Sequence, residues 1–122
     1  MKLYVEKSVW TGKLRNPDDS PIVEQKNFKF EPEKGKKYVL DYIECKSIFG
    51  KPKMKEKFYF TIIDIQDDYI IIKTNKVMGE NNVSPTRAVE EGKKEFKIEV
   101  GVKKILDEPI YDVGKTYVFE LK

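Results

Sequence analysis

Hydrophobic residues are densest between Phe58 and Thr74, where Phe58-Tyr59-Phe60-Thr61-Ile62-Ile63-Asp64-Ile65 and Tyr69-Ile70-Ile71-Ile72-Lys73-Thr74 flank Gln66-Asp67-Asp68. β-Branched and aromatic side chains suit a pleated, half-buried surface, and adjacent aspartates supply turn chemistry. The pattern therefore predicts a β-hairpin at the centre of an all-β domain. With Asp67 and Asp68 as a two-residue loop, Ile65 faces Ile70, Ile63 faces Ile72 and Thr61 faces Thr74. That register sends Phe58 and Phe60 to the opposite side, so a bulge near Thr61 or Ile62, or a strand buried on both faces, is expected.

Weaker alternation marks the other elements. Lys2 to Trp10 suits a first strand. Thr11 to Lys26 loses its pattern around the turn cluster Asn16-Pro17-Asp18-Asp19-Ser20-Pro21, which predicts an exposed loop. Phe28 and Phe30 read as a short second strand ending near Pro32, and Tyr38 to Cys45 as a third, broken by Lys46 to Lys57. After the hairpin, Asn75 to Lys94 reads as a long polar connection, with a short helix available from the cap Ser84 and Pro85 to Glu91 and Gly92. Glu95–Val100, Val102–Leu106 and Thr116–Leu121 close the chain. Seven or eight short antiparallel strands in one domain, residues 1–122, predict a Greek-key β-sandwich first and a closed β-barrel second, with at most one short helix.

One stretch recurs. Gly35-Lys36-Lys37-Tyr38-Val39-Leu40-Asp41-Tyr42 returns as Gly114-Lys115-Thr116-Tyr117-Val118-Phe119-Glu120-Leu121, with four of eight positions identical. Alternation places Tyr38, Leu40 and Tyr42 on one face, and Tyr117, Phe119 and Leu121 on one face. A glycine three residues before a strand-opening tyrosine is similar to the tyrosine corner of Greek-key sandwiches, in which the phenol bonds back to upstream backbone. The second copy resembles in wording the corner of fibronectin type III modules, but the other hallmarks of those modules are not evident. Gly-x-x-Tyr also reads as a plain turn followed by a strand. The corner reading implies that both tyrosines are buried and hydrogen-bonded through their hydroxyls.

Composition narrows the chemistry. A chain of 122 residues with 15 aromatics can build one core without metals or disulfides. Its 24 Lys and Arg against 21 Asp and Glu give a nearly balanced surface, unlike the basic excess of a dedicated nucleic-acid domain. The one cysteine, Cys45, allows no internal disulfide and alternates like a structural thiol, and no apolar run follows Lys2. A cytoplasmic protein without a membrane span is expected. The chain has no histidine, which removes Ser-His and Cys-His nucleophile pairs and imidazole metal ligands. The acidic pairs Asp18-Asp19, Asp67-Asp68, Glu90-Glu91 and Asp107-Glu108 read as solvated turns. No catalytic residue, metal site or cofactor is expected.

Two stretches are candidates for binding. Lys46 to Lys57 holds five lysines against one glutamate, together with Phe49. Lys51, Lys53, Lys55 and Lys57 alternate along an extended segment and would suit phosphates or an acidic protein, or would guard an edge strand from pairing. The second is the connection after Asn75, where Val77 and Met78 would serve a partner or cover an open end of the core. The leading expectation is a non-catalytic protein-interaction module, such as an inhibitor or immunity-type protein, that binds another protein through loops and an edge strand. A single-stranded nucleic-acid-binding barrel is one alternative, with Phe49, Tyr59 or Trp10 as stacking platforms; a small-ligand-binding or enzymatic barrel is another.

Overall fold

The computed structural model describes residues 1–11, 22–45, 50–51, 53–80, 92–108 and 113–122. Strands hold 78% of the described residues and no helix occurs among them. In chain order they are β1 (Leu3–Thr11), β2 (Ile22–Phe30), β3 (Lys37–Cys45), β4 (Lys53–Ile65), β5 (Tyr69–Glu80), β6 (Lys93–Glu99), β7 (Lys104–Asp107) and β8 (Val113–Leu121). All eight pair antiparallel in the order β2-β1-β8-β7-β5-β4-β3, and β6 lies beside β5. The sheet curls into a half-barrel. Its two halves meet across one core, where Phe58 packs on Tyr117 with ring centroids 4.6 Å apart and Phe60 on Phe119 at 5.4 Å.

The central hairpin forms where the isoleucine runs predict it. Gln66 N–H donates to the Tyr69 carbonyl at 2.8 Å, and Ile65 pairs with Ile70 across Asp67-Asp68. A register shift between Ile62 and Asp64 supplies the expected bulge. It moves the pairing by one residue, so Ile62 rather than Ile63 faces Ile72, and Phe60 rather than Thr61 faces Thr74. Phe58, Phe60 and Ile62 thereby share the core with Ile70 and Ile72, all fully buried, while Ile63 turns outward. Each such side chain contributes roughly 1.5–3 kcal/mol through burial.

β5 does not end at Thr74. It continues to Glu80, leaves β4 and pairs with β7 through Gly79 and Glu80, so the expected loop from Asn75 begins as strand. Asn75 sits at the fork. Its side-chain Oδ1 accepts from Tyr59 N–H at 2.9 Å and its Nδ2 donates to the Lys57 carbonyl at 3.1 Å, replacing the ladder bonds that the departing backbone no longer makes. The helix considered over Ser84–Gly92 falls almost wholly outside the described residues. β2 also begins earlier than its pattern suggests. Glu24 to Asn27 are all exposed, and pairing with β1 rather than burial holds this edge strand in place.

The two copies of the repeat diverge. At β3, Gly35 has φ +83°, and the Tyr38 hydroxyl donates to the Glu31 carbonyl at 2.6 Å while accepting from Glu33 N–H at 2.9 Å, which is the corner geometry. At β8 the described residues form no corner: Gly114 lies inside the strand opposite Trp10, and the fully buried Tyr117 hydroxyl has no hydrogen-bond partner among them. The alternation differs as well. β8 stays in register along β1 and turns Tyr117, Phe119 and Leu121 inward, whereas β3 shifts register at Asp41. That bulge turns Asp41 inward and leaves Tyr42 51% exposed, contrary to simple alternation.

The corner carries a prediction. Tyr38→Phe should lower unfolding free energy in urea by about 1 kcal/mol, because two backbone groups lose their partner. Tyr117→Phe should leave it unchanged or slightly higher, since no bond is lost. Equal losses at both positions would contradict the assignment.

Candidate functional site

Inside the half-barrel the core is apolar over most of its length and charged at one end. Lys7 follows Leu3 and Val5 on the inward parity of β1, and its side chain is only 7% exposed. Lys115 precedes Tyr117 and Phe119 on the inward parity of β8, and Asp41 enters from β3 through its bulge. Asp41 accepts from both ammonium groups, from Lys7 at 3.2 Å and from Lys115 through the other oxygen. Glu24 stands at the rim, 3.9 Å from Lys7. Lys76, on β5 between Thr74 and Met78, pairs at 3.0 Å with the buried Glu108 just after β7. Lys57, half-buried, lies where β4 skips a residue opposite the β3 bulge, near enough to Lys115 for the two cations to oppose one another.

The electrostatics follow from this crowding. Burial alone would raise the Asp41 carboxyl, but hydrogen bonds from Lys115 and Lys7, with their charges, outweigh it and hold its pKa below the usual carboxylate value. Burial works against the Lys115 ammonium too, yet Asp41 reverses the balance and its pKa is raised. Lys57 goes the other way. Desolvation and then the neighbouring Lys115 lower its pKa, with only weak compensation from Glu108 and Asp41. The Tyr117 phenol is pushed up, chiefly by burial and further by Glu108, Asp41 and Glu24. Alternation arguments miss this site because they treat charged positions as outward, and four of its members are lysines.

The residues singled out from the sequence are dispersed. Met78 is fully buried in the core, so of its two expected uses it covers the core and offers nothing to a partner. Val77, beside it on β5, is half-buried. Phe49 lies outside the described residues. Lys51 is exposed, and Lys53 and Lys55 are exposed on β4, where they share a face with Ile43 across the pairs Cys45↔Lys53 and Ile43↔Lys55. Lys57 leaves that row and joins the interior cluster. The stretch 53–57 is therefore the first part of β4 rather than a break between strands.

That part of β4 and the end of β3 form a two-stranded arm. β5 pairs with β4 only from Phe60 onward, so among the described strands Lys53 to Glu56 pair with β3 alone. Both faces of the arm meet solvent. Tyr42 (51% exposed) and Met54 (62%) lie on one face, and Ile43 (47%) lies between Lys53 and Lys55 on the other. Tyr59, at the arm's base, is half-buried beneath the Lys37 ammonium at 4.9 Å. Elsewhere a groove of about 300 Å³ crosses the outer face of β2, β1 and β8, bordered by Tyr4, Glu6, Asn27, Glu120 and Lys122.

Among the described residues no group of three or more Cys, Asp or Glu is placed to hold a metal ion, and no helix is long and apolar enough to cross a membrane. No family model, curated protein or solved structure matches the chain.

Removing the shared carboxylate tests the cluster. Asp41→Asn should cost on the order of 3 kcal/mol at pH 7, because two buried ammonium groups lose their counter-charge. A depressed carboxyl pKa stabilises the fold above its unfolded value near 4, and that stabilisation disappears as pH falls toward the folded value. The raised Lys115 acts below its unfolded value near 10.5 and loses its contribution as pH rises beyond it. Urea unfolding of both proteins from pH 3 to 9 should show the gap between them constant above pH 6 and shrinking below about pH 4. A gap independent of pH would contradict this assignment.

Proposed function

We propose that this protein is a non-catalytic interaction module that engages another protein through the β3–β4 arm. The observation that carries the reading is the arm itself. An isolated two-stranded ribbon is marginally stable in water, yet this one displays Tyr42, Ile43 and Met54 to solvent on its two faces. A partner laid against it would cover those side chains and could pair with the β4 backbone beyond the Asn75 fork, where no described strand follows. Lys51, Lys53 and Lys55 favour an acidic partner, and charge of this kind mainly accelerates and orients the encounter. An inhibitor or immunity-type role is the form we favour. A chain without histidine supports the non-catalytic reading, and its lone cysteine suits a reducing cytoplasm.

The same three lysines favour a second reading, single-stranded nucleic-acid binding along the arm. The two readings separate experimentally. Affinity capture with the wild-type protein, followed by mass spectrometry, should return a protein partner that the Tyr42→Ser/Met54→Ser variant binds at least tenfold more weakly, as expected for exposed apolar anchors. Changing Lys51, Lys53 and Lys55 together to serine should increase self-association in sedimentation velocity, because charge guarding an open edge is lost. It should leave oligonucleotide affinity unchanged at two salt concentrations. A strictly monomeric variant that loses salt-dependent oligonucleotide binding would favour the nucleic-acid reading instead.

A further inference from the structure

We infer that the open β4 edge of the arm takes an extended segment of another protein in which carboxylates alternate with apolar residues. This rests on the arm-based reading and names the chemistry of the partner.

β5 leaves the place for such a segment. It runs antiparallel to β4 from Ile65↔Ile70 to Phe60↔Thr74 and then departs to pair with β7. At the fork the Asn75 side chain serves Tyr59 N–H and the Lys57 carbonyl. Beyond it, from Lys53 to Glu56, β4 pairs among the described strands with β3 alone. A strand laid in the line of β5 would pair with the backbone of that second edge, and a segment of about five residues, an ordinary strand length, covers it.

The side chains along the edge fix what the segment carries, because directly opposite residues of neighbouring strands share a face. Lys53 and Lys55 project from one face of β4, and Met54 projects from the other, where Tyr42 also lies. All four are exposed. Nearby Glu56 is held by Lys37, but among the described residues no carboxylate lies within ion-pair distance of Lys53 or Lys55. The positions opposite the two lysines therefore favour Asp or Glu, and the position between them, opposite Met54, favours an aliphatic or aromatic residue. Acidic, apolar, acidic is the shortest such pattern.

The lysine row also selects the edge and the partner. A strand beside β4 lies about 4.8 Å away, whereas one on the far side of β3 would be about twice as distant. A second copy of this chain is disfavoured. Two copies paired antiparallel about a two-fold axis set residues of equal parity opposite each other, so every overlapping register puts lysine against lysine, such as Lys55 on Lys55 or Lys53 on Lys57. The row that repels a copy attracts a strand of opposite charge. An oligonucleotide supplies the charge but no apolar residue in register with Met54.

The test uses the full chain and three labelled, end-capped peptides of equal length in anisotropy titrations: alternating glutamate and valine, the same residues in two blocks, and alternating lysine and valine. The alternating acidic peptide should bind saturably, at least tenfold more tightly than the block peptide, and the basic peptide should not bind. Lys53→Glu/Lys55→Glu changes exposed positions only and should reverse the preference, losing the acidic peptide and gaining the basic one. Methylating every second backbone nitrogen of the acidic peptide should abolish binding in one of the two phases and spare it in the other, since only alternate N–H groups face the neighbouring strand. Equal affinity for alternating and block peptides, a preference unchanged in the double variant, binding that survives both methylation phases, or an oligonucleotide bound more tightly than the acidic peptide would overturn the inference. The arm-based reading fails separately, through a captured partner that ignores Tyr42→Ser/Met54→Ser. Capture that depends on those residues while the acidic peptide does not bind would overturn this inference alone.

Discussion

The structure depends on a carboxylate that one irregular residue step in β3 carries to the inside. The two end strands of the sheet path, β2 and β3, are not neighbours in the hydrogen-bonded order, so among the described residues no backbone ladder joins the half-barrel across that side. Side chains do so instead. Asp41 ties β3 to β1 through Lys7 and to β8 through Lys115, the Tyr38 hydroxyl ties β3 to the backbone just after β2, and the Phe30 and Tyr38 rings lie 4.9 Å apart. The carboxylate and its two ammonium groups are each less than 15% exposed, so none of them is well solvated when unpaired.

The same step in register sets the boundary between body and arm. Asp41 is inward and the next residue, Tyr42, is the first exposed residue of the arm. On β4 the skipped residue is Lys57, below which every described residue to Lys53 is exposed and above which Phe58 is fully buried. The proposed docking element and the buried charge cluster are therefore adjacent along both strands. Their chemistry differs: the arm offers apolar side chains and loosely held lysines, and the interior offers desolvated charge in fixed positions.

Much of the fold was legible because apolar side chains mark the inside of a strand. That rule located the β4–β5 hairpin, its two-residue loop, the bulge beyond Thr61, and the inward row of β8; on β6 it holds for Phe96 and Ile98 and fails at Val100, which ends the alternation 43% exposed. It failed where the interior is polar. Thr74, Lys76 and Met78 continue the inward parity of β5, but a lysine in that row reads as polar connection, so the pattern ends the strand at Thr74. Lys7 and Lys115 read as ordinary surface charges for the same reason. The repeat misled in a different way, since equal wording at Gly35 and Gly114 serves a corner in one place and an uninterrupted strand in the other. What separates them is the pairing partner: β1 holds β8 in continuous register, and β4 meets β3 with a residue out of step.

Asp41 joins Lys7 and Lys115 as one buried unit, and the closure of the half-barrel rests on that unit. Stability in urea should be measured for Asp41→Leu, for Lys7→Met/Lys115→Met, and for the triple variant combining them. A buried triad predicts that each partial removal costs roughly 3 kcal/mol or more and that the triple variant recovers most of the loss, because no uncompensated charge remains. Losses that simply add in the triple variant would show that the three side chains act independently and would contradict the account.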